Sequence, residues 1–140
     1  MINTVMICLA LNIYFEARNQ PIRGQVAVTQ VVLNRVADRR YPDRVCDVVY
    51  QAKKNRSGKI LINKCQFSWY CDGKSDEPTD MDAFRWATHV ALRVLYGFYP
   101  DNTHGATHYH SNEVNPKWAI SKNKTVVIGD HLFFKWSDEY

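Results

Sequence analysis

The chain has 140 residues, 46% of them hydrophobic and 13% aromatic, and its 18 basic and 14 acidic residues give a formal net charge of +4. This length predicts a single domain over residues 1–140, with enough apolar side chains for one well-filled core. The charge is mild and the basic residues are mostly scattered, so we expect no nucleic-acid partner, although an anionic wall polymer is compatible with the charge.

The first segment, about Thr4 to Ala17, is apolar almost all round, which predicts a helix enclosed by the domain. No basic residue precedes it and no small-residue cleavage site follows it, as a signal peptide would require. The apolar run is also too short to span a bilayer. We therefore expect a chain without an export signal, made in the cytoplasm and not stably inserted in a membrane.

The second segment, from about Gly24 to Ala37, repeats valines at helical spacing and is predicted to be a helix. Four polar residues fall largely off its apolar face: Gln25, Gln30, Asn34 and Arg35. A short helix is expected from about Val45. The polar stretch that follows, up to Lys64, is predicted to be an exposed loop or a hairpin.

The second half of the chain predicts one more long helix and a few strands. Thr79 is the predicted cap of a helix that reaches Tyr96, with Gly97 as its stop signal. Three strands are expected, at Ala106–His110, Thr125–Ile128 and His131–Phe134, the last two joined by a turn at Gly129-Asp130. The predicted fold class is α+β, with three to four helices and a small antiparallel sheet.

The sequence does not determine whether the four cysteines are reduced, form disulfides or bind a metal. Cys8 lies in the first apolar run and is interpreted as a small core residue. Cys65 and Cys71 bracket five residues and could form a disulfide, bind a metal or do neither. Without a signal peptide, reduced thiols are the expectation.

Several kinds of active site have no support in the sequence. It contains no phosphate-binding loop, dinucleotide fingerprint or hydrolase nucleophile elbow. His104, His108 and His110 cluster and Cys65 and Cys71 could add thiolates, yet neither a close Cys pair nor a helical H-E-x-x-H is present. We predict no metal and no cofactor; a zinc amidase or peptidase is the alternative that this cluster leaves open.

Glu16 follows the run from Val5 to Phe15, which has only one clearly polar residue, Asn12. In an apolar pocket, burial raises the pKa of a carboxyl, and a carboxyl that is protonated near neutral pH can act as a general acid. The alternative is a solvated carboxylate that ends the helix and pairs with Arg18. Considered by itself, Glu16 fits the alternative better.

An aromatic segment, Gln66-Phe67-Ser68-Trp69, mixes ring faces with hydrogen-bonding groups, as sugar recognition requires. Tyr109, Asn112 and Trp118 repeat this mixture about forty residues later. The alternative is a satellite core cluster under the preceding loop.

Four short blocks, in order along nearly the whole chain, together resemble the SleB/CwlJ family of cell-wall hydrolases. Each block alone is common, whereas four in register are specific. The blocks are Glu16-Ala17-Arg18 with Gly24–Val28 and Val32–Val36, then Cys65–Trp69, then Ala106–His110 with Pro116–Ala119, and finally Ile128–Phe133.

The resemblance implies a lysozyme-like α+β domain that cleaves the β-1,4 bond between N-acetylmuramic acid and N-acetylglucosamine in peptidoglycan. Glu16 would be the catalytic acid of a lytic transglycosylase, which needs one carboxylate because the substrate supplies the nucleophile. A hydrolytic muramidase is an alternative, with Asp72 or Asp76 as a second carboxylate, and so is a non-catalytic peptidoglycan-binding module. A monomer is expected, and the missing export signal and wall-binding domain are typical of a phage endolysin.

The same resemblance, together with the aromatic composition, predicts the residues that bind substrate. Gln66, Phe67, Ser68 and Trp69 would line one side of a cleft. The opposite wall would consist of His108, Tyr109 and His110, with Trp118 as a further platform.

Overall fold

In the computed structural model, which describes residues 2–137, helices and two small antiparallel sheets build an α+β fold, which confirms the predicted class. The α-helices are α1 (Ile2–Ala17), α2 (Ile22–Val36), α3 (Val45–Val49) and α4 (Met81–Leu95). The strands are β1 (Ala52–Lys54), β2 (Ile60–Cys65), β3 (His108–Ser111), β4 (Lys122–Ile128) and β5 (His131–Trp136), and 3₁₀ turns occupy Ser68–Cys71 and Lys117–Ser121. That residues 1–140 form one domain stays a prediction.

The helix α1 lies at the centre of the helical part and packs against α2, α3 and α4. Leu9, Ala10 and Ile13 are fully buried, and Tyr14 is nearly so. Neighbours on three sides explain why the segment is apolar almost all round, and they confirm the predicted enclosed helix. Within residues 2–137, every helix falls short of the length and apolar character needed to cross a membrane.

The second sheet has β5 in the middle, paired antiparallel with β3 and β4. The predicted hairpin between β4 and β5 is confirmed, with Gly129 in the left-handed region at φ 57°. Gln20 clamps this turn, since its Oε1 accepts the Asp130 N–H at 2.9 Å and its Nε2 donates to Asp130 Oδ2 at 3.0 Å. The clamp ties the sheet to the turn between α1 and α2.

The helix α2 is more deeply enclosed than its sequence pattern indicates. Gln25, Gln30 and Arg35 are buried, although they lie off the predicted apolar face. The Gln25 amide donates to Ala17 O at 3.2 Å and the Gln30 amide to Tyr99 O at 3.1 Å. These buried polar groups are tolerated because each side chain has a backbone acceptor on another part of the chain.

The start of α4 differs by one residue from its prediction. Asp80, not Thr79, is the cap, and its Oδ1 accepts the Ala83 N–H at 3.0 Å. The Thr79 N–H instead donates to the Tyr14 hydroxyl at 3.1 Å. The predicted stop signal is confirmed, since Gly97 has φ 81° directly after the helix C-cap.

Two disulfides replace the expected reduced thiols. Cys8 is a buried core residue, as predicted, and it is bonded to Cys46, which joins α1 to α3. Cys65 is bonded to Cys71, and this bond closes the loop that carries residues 66–70. The expectation of a reduced state was wrong because it used only the absence of an export signal, whereas the fold brings both pairs together.

Candidate active site

Glu16, the penultimate residue of α1, lies where the helices meet the second sheet. Its side chain is half-buried, and its Oε1 accepts a hydrogen bond of 2.6 Å from the Tyr109 hydroxyl. Tyr109 is in β3 and contacts the rings of Phe133 and His131 on the inner face of the sheet. Glu16 is therefore held against the sheet and is not the freely solvated end of a helix.

The environment of Glu16 favours its neutral form. Burial raises the pKa of Glu16, and the Tyr109 hydrogen bond and the positive charge of Arg35 only partly oppose this rise. The pKa of Tyr109 is raised well above its ordinary value, first by burial and then by the Glu16 charge and hydrogen bond. Tyr109 therefore stays a donor to Oε1, so the carboxyl proton belongs on Oε2.

Arg35 supplies a buried cation near Glu16 that the sequence analysis did not assign to the site. Its Nε donates to Thr107 O at 2.7 Å and its Nη1 to Gln66 Oε1 at 3.4 Å. The guanidinium also lies over the rings of Tyr41 and Phe67, at 5.0 and 5.1 Å. Arg35 thus ties the loop after β2 to the strand that carries Tyr109. A charged residue within the valine-rich block was the signal that could have identified it.

Asn12 is a second residue that sequence analysis left without a role. It is 1% exposed, and its Oδ1 accepts the indole N–H of Trp69 at 2.9 Å. Trp69 also stacks on Phe15, the neighbour of Glu16, with ring centroids 5.0 Å apart. The position of Asn12, as the polar exception in an apolar run one helical turn before Glu16, was the signal available in the sequence.

The segment from Gln66 to Trp69 lies beside Glu16, with its residues facing different ways. Phe67 is buried and stacks on Tyr109 at 6.4 Å, whereas Gln66 and Ser68 are exposed. The structure therefore brings together an acid, its hydrogen-bond donor, a cation and aromatic rings. The binding roles of the four segment residues stay predictions.

His108 and His110 lie on the other face of β3 from Tyr109, because side chains alternate along a strand. Both contact Trp118, with ring centroids at 5.1 and 5.6 Å, and thus share one face of the strand. Burial lowers the pKa of His108 to about 4, with Arg35 and Lys122 adding to the effect. These three side chains form an outer aromatic cluster rather than a contact with Glu16, and their binding roles stay predictions.

The other candidate charges lie apart from Glu16. The Arg18 guanidinium is 4.2 Å from the ring centroid of Tyr14, so it does not form the surface pair considered for Glu16. Burial raises the pKa of Asp76, and the Asp72 charge adds to this, while Asp76 in turn contributes to the raised pKa of Tyr50. The two aspartates therefore lie close to each other and to Tyr50.

A zinc amidase or peptidase would need several ligand side chains that are directed at one metal ion. The cysteines are bonded in pairs and offer no thiolate. Across residues 2–137, no three side chains among His, Cys, Asp and Glu come close enough to hold a metal ion. His104, His108 and His110 therefore do not form a three-ligand set.

Known proteins resemble the chain along most of its length. A spore cortex-lytic enzyme from Halalkalibacterium halodurans is 31% identical over 126 residues, which cover 89% of this chain and 33% of that protein. Two solved structures match with a TM-score of 0.65 and 25% identity: the catalytic domain of the Bacillus cereus SleB protein, and that of the germination-specific lytic transglycosylase SleB from Bacillus anthracis. They cover 95% and 94% of this chain, and 91% and 93% of the solved chains. This chain spans about a third to two fifths of the curated relatives it matches.

A family model described as cell wall hydrolase matches residues 19–134. The match begins three residues after Glu16, so it bears on the fold and on the later blocks rather than on the acid itself. It covers well over half of the chain, and the structural likeness extends over the helices and sheets alike. The chain belongs to the cell wall hydrolase family.

Proposed function

We propose that this domain cleaves the β-1,4 bond between N-acetylmuramic acid and N-acetylglucosamine in peptidoglycan, as a lytic transglycosylase with Glu16 as its acid and base. The names of two relatives, a spore cortex-lytic enzyme and a germination-specific lytic transglycosylase, support this class of reaction. The observation that carries the proposal is Glu16 itself. It is a half-buried carboxyl with a raised pKa and one oxygen already occupied by Tyr109.

The first chemical step is protonation of the leaving group. Tyr109 occupies Oε1, so the proton on Oε2 is the one available to the glycosidic oxygen. Its transfer lets the bond from the muramoyl C1 to that oxygen break, with the electron pair leaving on the N-acetylglucosamine hydroxyl. Glu16 becomes a carboxylate, which the Tyr109 hydrogen bond and the Arg35 charge then stabilise.

The second step returns the proton. The Glu16 carboxylate accepts the proton of the muramoyl C6 hydroxyl while that oxygen bonds to C1, which closes a 1,6-anhydro ring. No water is consumed and Glu16 ends as it began, protonated. Both steps depend on the pKa of Glu16. Burial raises this pKa, so the carboxyl can donate a proton, while the Tyr109 hydrogen bond and the Arg35 charge limit the rise, so the carboxylate can also form.

A site with a single carboxylate fits the transglycosylase reaction better than it fits hydrolysis by a pair of carboxyl groups. Retaining glycosidases, which hydrolyse through a covalent intermediate, use two carboxyl groups roughly 5–5.5 Å apart, and at that distance each charge shifts the pKa of the other group. Among the described residues, no carboxylate contributes to the pKa shift of Glu16. Asp72 and Asp76 interact with each other and with Tyr50 instead.

Activity of the Glu16→Gln variant on purified peptidoglycan tests the proposal. The change keeps an acceptor for Tyr109 and removes the transferable proton, so we expect the release of soluble muropeptides to fall by at least about a hundredfold. Glu113→Gln, at an exposed position after β3, is the matched control and should keep full activity. Near wild-type release by a folded Glu16→Gln protein would exclude the role. Retention on the wall with no muropeptide release by the parent would instead indicate a binding module.

A further inference from the structure

A cavity of about 950 Å³ is lined by residues other than Glu16 and its contacts. Its walls are the segment after α2, the loop before β3 and the end of β5. None of Glu16, Tyr109 and the segment from Gln66 to Trp69 lines it. The residues that matter for its chemistry are Asp38, Arg39, Arg40, His104, Lys135 and Trp136.

The charges in this cavity are mostly positive. Arg39, Arg40 and Lys135 line it, and Asp38 is the carboxylate among its lining residues. That carboxylate is already paired, since Arg40 Nη1 lies 2.9 Å from Asp38 Oδ2. An excess of cations in a concave site raises the local concentration of anions.

Trp136 adds an apolar wall. The Arg40 guanidinium and the Lys122 ammonium lie 4.6 and 4.1 Å from the centroid of its ring, so the indole is surrounded by cations. Its Nε1–H is enclosed and is not available to a ligand, so the charged groups of Arg39 and Lys135 are the donors for an oxyanion in the cavity.

We propose that this cavity binds an oxyanion of the wall polymer, a carboxylate or a phosphodiester, through the charges of Arg39 and Lys135 beside the ring of Trp136. The identity of the polymer rests on the proposed function, whereas the oxyanion chemistry rests on the cavity alone. The site would hold the polymer at a distance from the bond that Glu16 cleaves. Its contribution is to retention and to the choice of substrate, not to the chemical step.

The first test uses simple probes and is independent of peptidoglycan. In a nitrogen–proton NMR spectrum, the indole signal of Trp136, assigned with a Trp136→Phe variant, should shift on titration with inorganic phosphate or acetate. It should not shift with uncharged N-acetylglucosamine. The other indole signals serve as internal controls. No anion-dependent shift at Trp136, or an equal shift at all indoles, would overturn the proposal even if the enzyme cleaves peptidoglycan.

The second test measures binding of the full chain carrying Glu16→Gln to intact sacculi. Adding Arg39→Gln and Lys135→Gln should weaken binding about tenfold, and the loss should shrink at high salt. Lys53→Gln with Lys54→Gln, on the exposed strand β1, changes the net charge equally and should bind like the parent. Equal binding by both pairs of variants would contradict the proposal, as would a loss explained by a lower melting temperature.

The source of the oxyanion follows from two treatments of the same sacculi. If binding is lost after acid removal of phosphodiester polymers, the ligand is a phosphodiester. If it is lost after amidation of the wall carboxyl groups, the ligand is a carboxylate. Undiminished, charge-dependent binding after both treatments would contradict a wall oxyanion as the partner.

Discussion

The Tyr109 hydroxyl donates a hydrogen bond of 2.6 Å to Glu16 across 93 positions of the sequence. It joins the central residues of β3 to the last turn of α1, and it connects the two halves of the fold at the proposed acid. Because Tyr109 remains protonated far above neutral pH, this bond would orient Glu16 through the whole of the proposed catalytic cycle. The bond also stabilises the carboxylate that forms after proton transfer.

Tyr109→Phe tests this relationship through the pH dependence of cleavage. The hydrogen bond lowers the pKa of Glu16, so its loss should raise that pKa further. A general acid works only while protonated, and the alkaline limb of the kcat/KM profile should therefore move to higher pH. We expect kcat at neutral pH to fall about tenfold or more, the worth of one hydrogen bond to a charged group.

Tyr96→Phe is the control for this variant, since Tyr96 is exposed at the end of α4 and should leave both the limb and kcat unchanged. An alkaline limb that stays in place in Tyr109→Phe, or moves to lower pH, would show that the hydrogen bond does not set the pKa of the acid.

Glu16→Gln should make the folded protein more stable at neutral pH. The folded-state pKa of Glu16 is raised, so its carboxyl favours the folded state below the unfolded pKa and loses that contribution as the pH rises through the folded pKa. Urea denaturation should therefore give the variant a larger free energy of unfolding at neutral pH, with the gap closing near about pH 4. If Glu16→Gln is less stable than the parent at neutral pH, the folded protein stabilises the ionised carboxylate of Glu16, contrary to this prediction.

Loss of one disulfide should mainly lower stability, and loss of the other should mainly lower activity. The chain-entropy model assigns about 4 kcal/mol of stability to Cys8–Cys46 and about 2 kcal/mol to Cys65–Cys71, because the first closes the longer loop. The second closes the loop that carries the predicted binding residues and Trp69, whose indole bonds Asn12. Cys8→Ser with Cys46→Ser should lose more stability, and Cys65→Ser with Cys71→Ser more activity.

Two measurements check that one disulfide matters more for stability and the other more for activity. Activity is measured well below the melting temperature of each variant, and free energies of unfolding are taken from urea titrations. A loss of activity that simply follows the loss of stability in both pairs would contradict a specific role for the shorter loop.

Gly129→Ala should destabilise the fold more than Gly58→Ala. Both glycines have positive φ, at 57° and 85°, which costs an alanine roughly 1 kcal/mol. An added Cβ at Gly129 would lie 2.3 Å from Gln20 Oε1, whereas at Gly58 it would meet nothing within 4 Å. Displacing Gln20 breaks its two bonds to Asp130, so we expect a total of about 2–3 kcal/mol for Gly129→Ala. Equal losses in chemical denaturation would show that Gln20 moves without cost.

The features that were predictable from sequence are local ones. Apolar spacing identified the long helices, and Gly97 and Gly129 marked an end and a turn. The hydrogen-bond acceptors of Gln30 and Arg35 were not predictable, because they are the carbonyl groups of Tyr99 and Thr107, about seventy residues away. A pattern within one helix cannot supply such partners.

The role of Glu16 as the acid stays a proposal, and its choice depended on the family resemblance because the apolar run alone favoured a solvated carboxylate. Arg35 and Asn12 acquire their positions only through tertiary contacts. The resemblance treated His108, Tyr109 and His110 as one block, and the alternation of β3 separates them onto two faces. Four cysteines allow three pairings, and only the fold selects one.

Mass spectrometry of the glycan ends that the parent protein releases from peptidoglycan, in water labelled with heavy oxygen, tests the proposed reaction. A lytic transglycosylase leaves 1,6-anhydromuramoyl ends without the label, and we expect Glu16→Gln to abolish them. Labelled reducing ends would contradict the transglycosylase step, and unlabelled anhydro ends from folded Glu16→Gln would contradict Glu16 as the acid.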